Sequence, residues 1–204
     1  MAIIVDGTDG ITAPGLASTA GQTIATTLDV TGATTLASLQ VNGIATNVYP
    51  IVSSTSVAST SGTSINFTSI ASYAKRITLL FRNVSTSGLS NYQIQLGSSA
   101  GYKTSGYNGV SMRAVATATG TTADTTGFRL QSLLATATSN GLVTFSTYDN
   151  LTWYGLGNVA DSTNAVIFTF GGAVTLPGVL DRIRVTTVNG TDTFDAGSIS
   201  IVLE

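Results

Sequence analysis

The chain has 204 residues, of which 43% are hydrophobic and only 9% are charged, with a net charge of −2. It contains no run of the ~20 apolar residues that a bilayer-spanning helix needs, and no basic cluster beyond Lys75-Arg76, so neither membrane insertion nor nucleic-acid binding is expected. His and Cys are both absent, which excludes Ser-His-Asp and Cys-His catalytic centres and zinc sites built from these ligands.

The polar surface of such a chain must come from hydroxyl groups, and the sequence contains 35 Thr and 23 Ser. Threonine is β-branched and is favoured on the half-exposed surface of a pleated sheet. Lysine and glutamate, which usually cover the exposed faces of soluble helices, number only two and one. The composition therefore predicts an all-β fold, with at most a turn near residues 69–73.

Residues 1–19 predict an extended N-terminal arm rather than a globule. A short apolar run, residues 1–5, is followed by three turn signals within ten residues: Asp6-Gly7, Asp9-Gly10 and Pro14-Gly15. Such a segment buries too little apolar surface to fold alone.

An internal repeat distinguishes residues 20–62. The pattern L-x-V-x-G at residues 28–32 recurs at residues 39–43, and each copy predicts a short alternating strand with a glycine turn behind it. A single strand of this kind leaves its backbone unpaired, and two copies are too few for a solenoid core. Three chains wound about one axis would bury these apolar rows. The repeat thus predicts an intertwined, trimeric β shaft whose apolar rows are formed by Leu28, Val30, Leu36, Leu39 and Val41.

Two points about this region stay open in the sequence. A loosely ordered tether is the alternative to the shaft, although low charge and regular apolar spacing argue against disorder. Residues 48–62 suit either a first extended strand or a linker into the second half.

Residues 63–204 predict a C-terminal knob, an antiparallel β-sandwich of jelly-roll type. Short alternating segments recur about every ten residues between Gly, Asn and Asp turns. Asn189-Gly190 is a hairpin signal between the last two strands. The predicted strands are residues 63–69, 75–84, 91–97, 110–117, 127–134, 141–148, 151–157, 164–170, 181–188 and 197–203.

Reactive groups are scarce in this knob, and no catalytic residue, cofactor or metal site is predicted. Asp192 and Asp195 are the only closely spaced carboxylates of the knob. Such a pair could in principle cleave a glycan, or help to bind Ca²⁺. Turn capping and ion pairing with Arg182 or Arg184 is the favoured interpretation.

Surface recognition needs exposed aromatic and hydrogen-bonding side chains instead. Two stretches of the knob supply them, and Trp153 beside the second is expected to be buried between the sheets, whereas Tyr102 and Tyr107 are expected to be exposed. The receptor-binding candidates are Tyr102, Lys103, Tyr107, Asn108, Tyr148 and Asn150, with Tyr154 close by.

Several runs of the knob resemble a known group of proteins. Residues 180–201, from Leu180-Asp181 through Asn189-Gly190 to Ile201, closely resemble a C-terminal module of tailed-bacteriophage fibre and appendage proteins. Residues 70–81 and 84–88 match the start of the same module, so the resemblance covers about residues 65–204. The opening segment, residues 5–12, is similar to the N-termini of phage fibres.

The resemblance implies a virion structural protein, made in the host cytoplasm and exposed on the particle, that forms a homotrimer. The N-terminal end would dock on other virion proteins of the tail, baseplate or capsid, and the knob would be distal. The docking residues are then Ile3, Ile4, Val5 and Ile11.

Three functions follow from this interpretation. The first is a tail fibre or short tail appendage that attaches to a bacterial surface glycan or protein, without enzymatic activity. The second is a capsid decoration, cement or head-fibre protein held by its N-terminal arm. The third is a depolymerase.

Overall fold

A computed structural model describes residues 39–41, 44–46, 51–53, 56–115, 117–130, 134–161 and 163–204, the first two ranges by their backbone alone. The chain divides into two compact units, Met1–Val48 and Tyr49–Glu204. The predicted docking residues and three of the shaft residues lie outside the described residues: Ile3, Ile4, Val5, Ile11, Leu28, Val30 and Leu36.

The first unit contains one described hairpin. Strand β1 (Leu39–Val41) pairs antiparallel with β2 (Ile44–Thr46). The second copy of the repeat therefore forms a strand that includes Leu39 and Val41, but its partner belongs to the same chain. The trimeric shaft stays a prediction.

The second unit is all-β, and no helix occurs among the residues that the structure describes. In particular, that part of the chain holds no helix long and apolar enough to cross a membrane. Its strands are β3 (Val52–Ser53), β4 (Val57–Ala58), β5 (Ser64–Thr68), β6 (Arg76–Thr86), β7 (Tyr92–Ser98), β8 (Gly101–Tyr102), β9 (Tyr107–Val115), β10 (Ala118–Asp124), β11 (Phe128–Leu130), β12 (Ser139–Thr147), β13 (Thr152–Asp161), β14 (Val166–Thr175), β15 (Leu180–Thr187) and β16 (Phe194–Leu203).

These strands form two antiparallel sheets around one hydrophobic core. The nine-stranded sheet has the order β10-β9-β14-β13-β12-β6-β16-β3, with β4 also paired to β16. The five-stranded sheet has the order β11-β7-β15-β5, with β8 paired to β7. Alternate residues of both sheets point into the shared core, which includes Ile94, Phe128, Phe145, Phe170, Ile183 and Ile199.

Most of the predicted strands are confirmed, and so is the turn near residues 69–73, where Ala74 N donates to Ala71 O over 3.0 Å. Strand β10 was not predicted, because its Thr, Ala and Gly residues carry little apolar alternation. Within residues 48–62, β3 and β4 pair with β16 of the second unit. This segment therefore contributes strands to the nine-stranded sheet.

The predicted hairpin at Asn189-Gly190 is wrong. A turn does form, since Gly190 has φ +69° and its N–H donates to Thr187 O over 3.0 Å. However, β15 lies in the five-stranded sheet and β16 in the nine-stranded sheet. The connection therefore crosses from one sheet to the other.

Candidate functional site

The outer face of the five-stranded sheet carries buried polar side chains. Tyr92, Ile94 and Leu96 of β7 point into the core, and Gln93 and Gln95 point to the opposite side. Both glutamines are nevertheless only about 5% exposed. Buried amides need hydrogen-bond partners, so this face is organised by polar contacts.

The loop before β11 covers part of the two glutamine side chains. Gln93 Nε2 donates to Thr126 Oγ1 over 2.6 Å, and Gln95 Nε2 donates to Thr126 O over 2.8 Å. Gly127 lies so close that a Cβ there would come within 2.5 Å of Gln93 Cγ. The glycine therefore allows the loop to lie against β7.

Arg184 occupies the centre of this face. It stands opposite Gln95 of β7 on one side and Asn66 of β5 on the other. Its guanidinium donates from both Nε and Nη2 to Gln95 Oε1, with the Nε contact at 3.1 Å. None of the three ion pairs found among the described residues involves Arg184, so its charge is held by an amide and not by a carboxylate.

Tyr102 of β8 stacks against the same guanidinium. Its ring centroid lies 4.5 Å from Arg184 Cζ and 5.9 Å from Arg182 Cζ, which fits cation–π contacts. Its hydroxyl donates to Asn66 Oδ1 over 2.9 Å. Partial burial raises the pKa of the Tyr102 hydroxyl, and the two positive charges of Arg184 and Arg182 offset part of that rise.

Gly97 explains why β8 can fold back over the sheet. A Cβ at residue 97 would lie 2.6 Å from Gly101 O and 2.9 Å from Tyr102 Cα. Any side chain at this position would push β8 away, and with it the Tyr102 ring that covers Arg184.

Gln93, Gln95 and Arg184 border a polar cleft of about 250 Å³. The cleft offers one guanidinium together with amide and hydroxyl groups, and it has little apolar lining. We name it the Arg184 cleft, with the lining residues Ser64, Gln93, Gln95, Arg184, Thr186 and Asn189. This set can recognise a polyol or a carboxylate by hydrogen bonds, because its donors and acceptors are held in place before a ligand arrives.

The first group of predicted binding residues does not form one cluster. Tyr102 stacks on Arg184, which lines the cleft, and Lys103 next to Tyr102 is half-buried. Asn108 is exposed, but it lies in β9 of the other sheet, opposite Ala173 of β14. Candidates adjacent in sequence are therefore divided between the two sheets.

The predicted exposure of Tyr107 is wrong. Its side chain is 4% exposed, its hydroxyl accepts from Leu96 N over 2.9 Å, and the same hydroxyl donates to Lys103 O over 3.1 Å. Burial raises the pKa of this hydroxyl well above its ordinary value. The neighbouring Ser, Gly and Lys residues indicated a surface loop, but the ring packs edge-on against Phe128 in the core.

The second predicted group lies at the turn between β12 and β13. Tyr148 is 95% exposed, and Asn150 adopts φ +68° while its Oδ1 accepts from Lys75 Nζ. Asp149 Oδ1 accepts from Leu151 N and Thr152 N at 3.0 and 2.6 Å, and these bonds lower the pKa of the Asp149 carboxyl. Trp153 is buried as predicted, and Tyr154 is exposed. Tyr148 is thus displayed on a well-bonded turn.

Of the two closely spaced carboxylates, Asp192 acts as a structural group. Asp192 accepts from Ser90 N over 2.9 Å and from Asn189 Nδ2 over 2.7 Å, which confirms turn capping. The predicted ion pairs with Arg182 or Arg184 are wrong, because Arg182 pairs with Asp181 at 2.7 Å and Arg184 bonds to Gln95. Over the described ranges, no group of three or more His, Cys, Asp or Glu residues could hold a metal ion.

Sequence reasoning missed Gln93, Gln95 and Arg184 as site residues. The one available signal was the alternation of glutamine with large apolar residues at positions 92–96, matched by Arg182 and Arg184 along the later strand. No known protein family, curated protein or solved structure gives a significant match to this chain. The resemblance to phage fibre proteins accordingly stays a prediction.

Proposed function

We propose that this chain is a virion structural protein of a tailed bacteriophage, a homotrimeric tail fibre or short tail appendage that attaches the particle to its host. The arm and shaft of the first unit would dock on the virion, and the second unit would be a jelly-roll-like knob. Its nested strand pairs, β6 with β16, β7 with β15 and β9 with β14, support this description of the knob, because such pairs also nest in a jelly roll.

The attachment function rests on one observation above all. Arg184 lies in a polar cleft, is oriented by Gln95 and Tyr102, and has no carboxylate partner among the described residues. A guanidinium held this way keeps unused N–H donors for a ligand. Hydroxyl- and carboxylate-bearing sugars of a bacterial surface polysaccharide have the matching acceptors.

A single cleft of this size would bind a polysaccharide weakly. Three copies in a trimer, and several trimers on a particle, would raise the effective affinity because the second and third contacts are made at high local concentration. The proposal thus needs only modest affinity from each knob.

The Arg184→Gln substitution tests this function. We expect the full chain to bind its polysaccharide about 10- to 100-fold more weakly after the change, since hydrogen bonds to a charged group contribute about 1.5–3 kcal/mol each. Binding would be measured by biolayer interferometry on a panel of purified neutral and carboxylate-bearing bacterial polysaccharides. The matched control is Arg82→Gln, which removes the same charge from an exposed residue of β6 in the other sheet.

Two results would contradict the attachment proposal. One is a polysaccharide that binds the Arg184→Gln and Arg82→Gln variants equally well. The other is a panel without any ligand, combined with adsorption of the virion that free protein does not compete. Far-ultraviolet circular dichroism would verify that both variants keep the β fold.

Antibody-gold labelling of intact virions distinguishes attachment from capsid decoration. We expect label at the tail or its baseplate, because a receptor-binding knob must reach the host surface. Label spread over the head would replace attachment by decoration, with the N-terminal arm lying across capsomer junctions.

A further inference from the structure

The outer face of the nine-stranded sheet exposes an unusual amount of apolar surface. On β13 the core-facing residues alternate with Tyr154 and Leu156, which are both 59% exposed. The other exposed large residues on this face lie on neighbouring strands. We name the set the outer apolar face: Leu80, Val110, Leu142, Tyr154, Leu156 and Ile167.

The strand register places these residues side by side. Leu80 stands opposite Leu142. Leu156 stands opposite Thr144 on one side and Gly171 on the other, and Gly171 stands opposite Val110. Leu142 is also the diagonal neighbour of Leu156, so the apolar side chains of β6, β12 and β13 adjoin. Val110 of β9 lies across Gly171, and Ile167 of β14 stands between Ala160 and Ala114. Contiguous patches of this kind mark interaction surfaces.

Charge is confined to the rim of the patch. Arg76, which pairs with Glu204, and Arg82 lie towards the two ends of β6. Residues that stand opposite one another on successive strands form rows across the sheet, and the two central rows run through Leu156 and Leu142. Both rows carry only uncharged side chains. The row through Leu156 contains Ala123, Val110, Gly171, Leu156, Thr144, Thr78 and Val202. An uncharged centre with a polar rim is the composition of a protein–protein interface.

Gly171 independently indicates that another protein surface packs against the outer apolar face. It is exposed in the middle of β14, and a Cβ built there would meet no atom within 4 Å. The fold of the chain itself therefore does not require glycine here, although glycine weakens a strand interior. A glycine at such a position leaves a hole between Leu156 and Val110 into which a side chain of another sheet can fit.

We propose that the outer apolar face is the surface through which copies of this chain pack against one another. The outward side of the seven strands from β10 to β16 contains this face and its uncharged flanks on β10 and β16. With strands about 4.8 Å apart and about four outward residues on each, it covers roughly 900 Å². A stable interface needs roughly 800 Å² from each partner, so the area suffices. A second copy also brings no like charge against the uncharged centre, and two sheet faces can interdigitate large and small side chains.

Other occupants match this face less well. An acidic or basic partner would find no opposite charge in the central rows. The inference does not depend on ligand binding by the Arg184 cleft.

Single introduced cysteines in the full chain test the proposal. Because the chain has no Cys, any bismaleimide cross-link at one introduced Cys must join two chains. We would make Leu142→Cys, Leu156→Cys and Val110→Cys one at a time, with Leu89→Cys as the exposed reference, since Leu89 is 64% exposed between β6 and β7. The total mass from light scattering would give the number of associated copies.

We expect thiols on the outer apolar face to react at least about tenfold more slowly than the thiol at residue 89, because labelling requires the interface to open. At least one of the three positions should cross-link. Adding Gly171→Gln should fill the hole, abolish the cross-link and restore fast labelling. Gly120→Gln is the matched control, because residue 120 also has no atom within 4 Å of a built Cβ but lies on the opposite face of β10.

Two outcomes would overturn the proposal. In the first, all three thiols react as fast as the reference and none cross-links, which means that the face is uncovered. In the second, the thiols are protected without cross-linking and Gly171→Gln changes nothing, which means that the chain covers its own face. Neither outcome bears on Arg184, so a failure here remains distinct from a failure of the attachment function.

Discussion

Phe128→Ala is expected to lower the free energy of unfolding by about 3–5 kcal/mol. The Phe128 ring is fully buried and lies 5.0 Å from the ring of Tyr107 and 5.3 Å from those of Phe145 and Phe170. Phe128 belongs to the five-stranded sheet, whereas the other three residues belong to the nine-stranded sheet. The truncation therefore opens a cavity between the sheets. Urea unfolding can be followed by the fluorescence of Trp153, the single, buried tryptophan.

Two further variants calibrate this result. Phe128→Leu keeps most of the apolar volume and should cost clearly less than Phe128→Ala. Leu89→Ala removes an exposed side chain, and should change the free energy by at most about 0.5 kcal/mol. All variants must be compared at one protein concentration, since association adds to the apparent stability. A loss for Phe128→Ala as small as that for Leu89→Ala would disprove the role of Phe128 in joining the sheets.

Asp124→Ala is expected to cost about 3–5 kcal/mol of unfolding free energy, because removal of one member of a buried ion pair leaves the other charge uncompensated. Asp124 is 2% exposed, and its Oδ1 lies 3.3 Å from Arg129 Nε. The Arg129 side chain is 18% exposed, so water can compensate for little of the lost contact. Thermal or urea unfolding of the variant measures the loss.

The double variant Asp124→Ala with Arg129→Met separates this explanation from simple packing. When both charges are absent, no buried charge remains unpaired. The double variant should therefore lose less than the sum of the two single losses. If the double variant lost as much unfolding free energy as the two single variants together, the ion pair would contribute no coupling energy.

The pH dependence provides a second check on the same pair. Burial raises the pKa of Asp124 above its usual value of 3.8, although Arg129 and the Ser111 hydroxyl oppose the rise. A raised carboxyl pKa in the folded state means that the group favours folding below pH 3.8 and that this contribution is lost as the pH rises through the folded pKa. Arg129→Met removes an opposing charge and raises this pKa further. The variant should consequently be more destabilised at about pH 7 than at about pH 4.

Local sequence patterns predicted only part of the candidate site. Tyr102 was found from its Ser- and Gly-rich surroundings, which favour a loop, and it does contact Arg184 of the cleft. Tyr107 has the same kind of neighbours, yet it begins β9 and its ring packs against Phe128 in the core. Gln93 and Gln95 alternate with core residues and indicate an exposed strand face. Their burial depends on the loop at Thr126, which is about 30 residues away in the sequence.

The sequence by itself determined the all-β class and most of the strands. Alternation in segments such as residues 76–82 and 181–186 needs no distant partner to be recognised, since the period of two is a local property of a pleated strand. The absence of His and Cys excludes whole classes of catalytic and metal centres by composition alone, because no fold can supply a ligand or a base that the chain lacks.

Only the tertiary structure decided which strands are neighbours. An alternating strand carries the same signal in either sheet, so nothing local distinguished a hairpin at Asn189-Gly190 from a crossover between the layers. The same pairing placed Arg184 between Gln95 and Asn66, and it aligned Leu80, Leu142 and Leu156 on one outer face. Both surfaces arise from long-range register, which is set by the complementarity of whole sheets and not by any segment on its own.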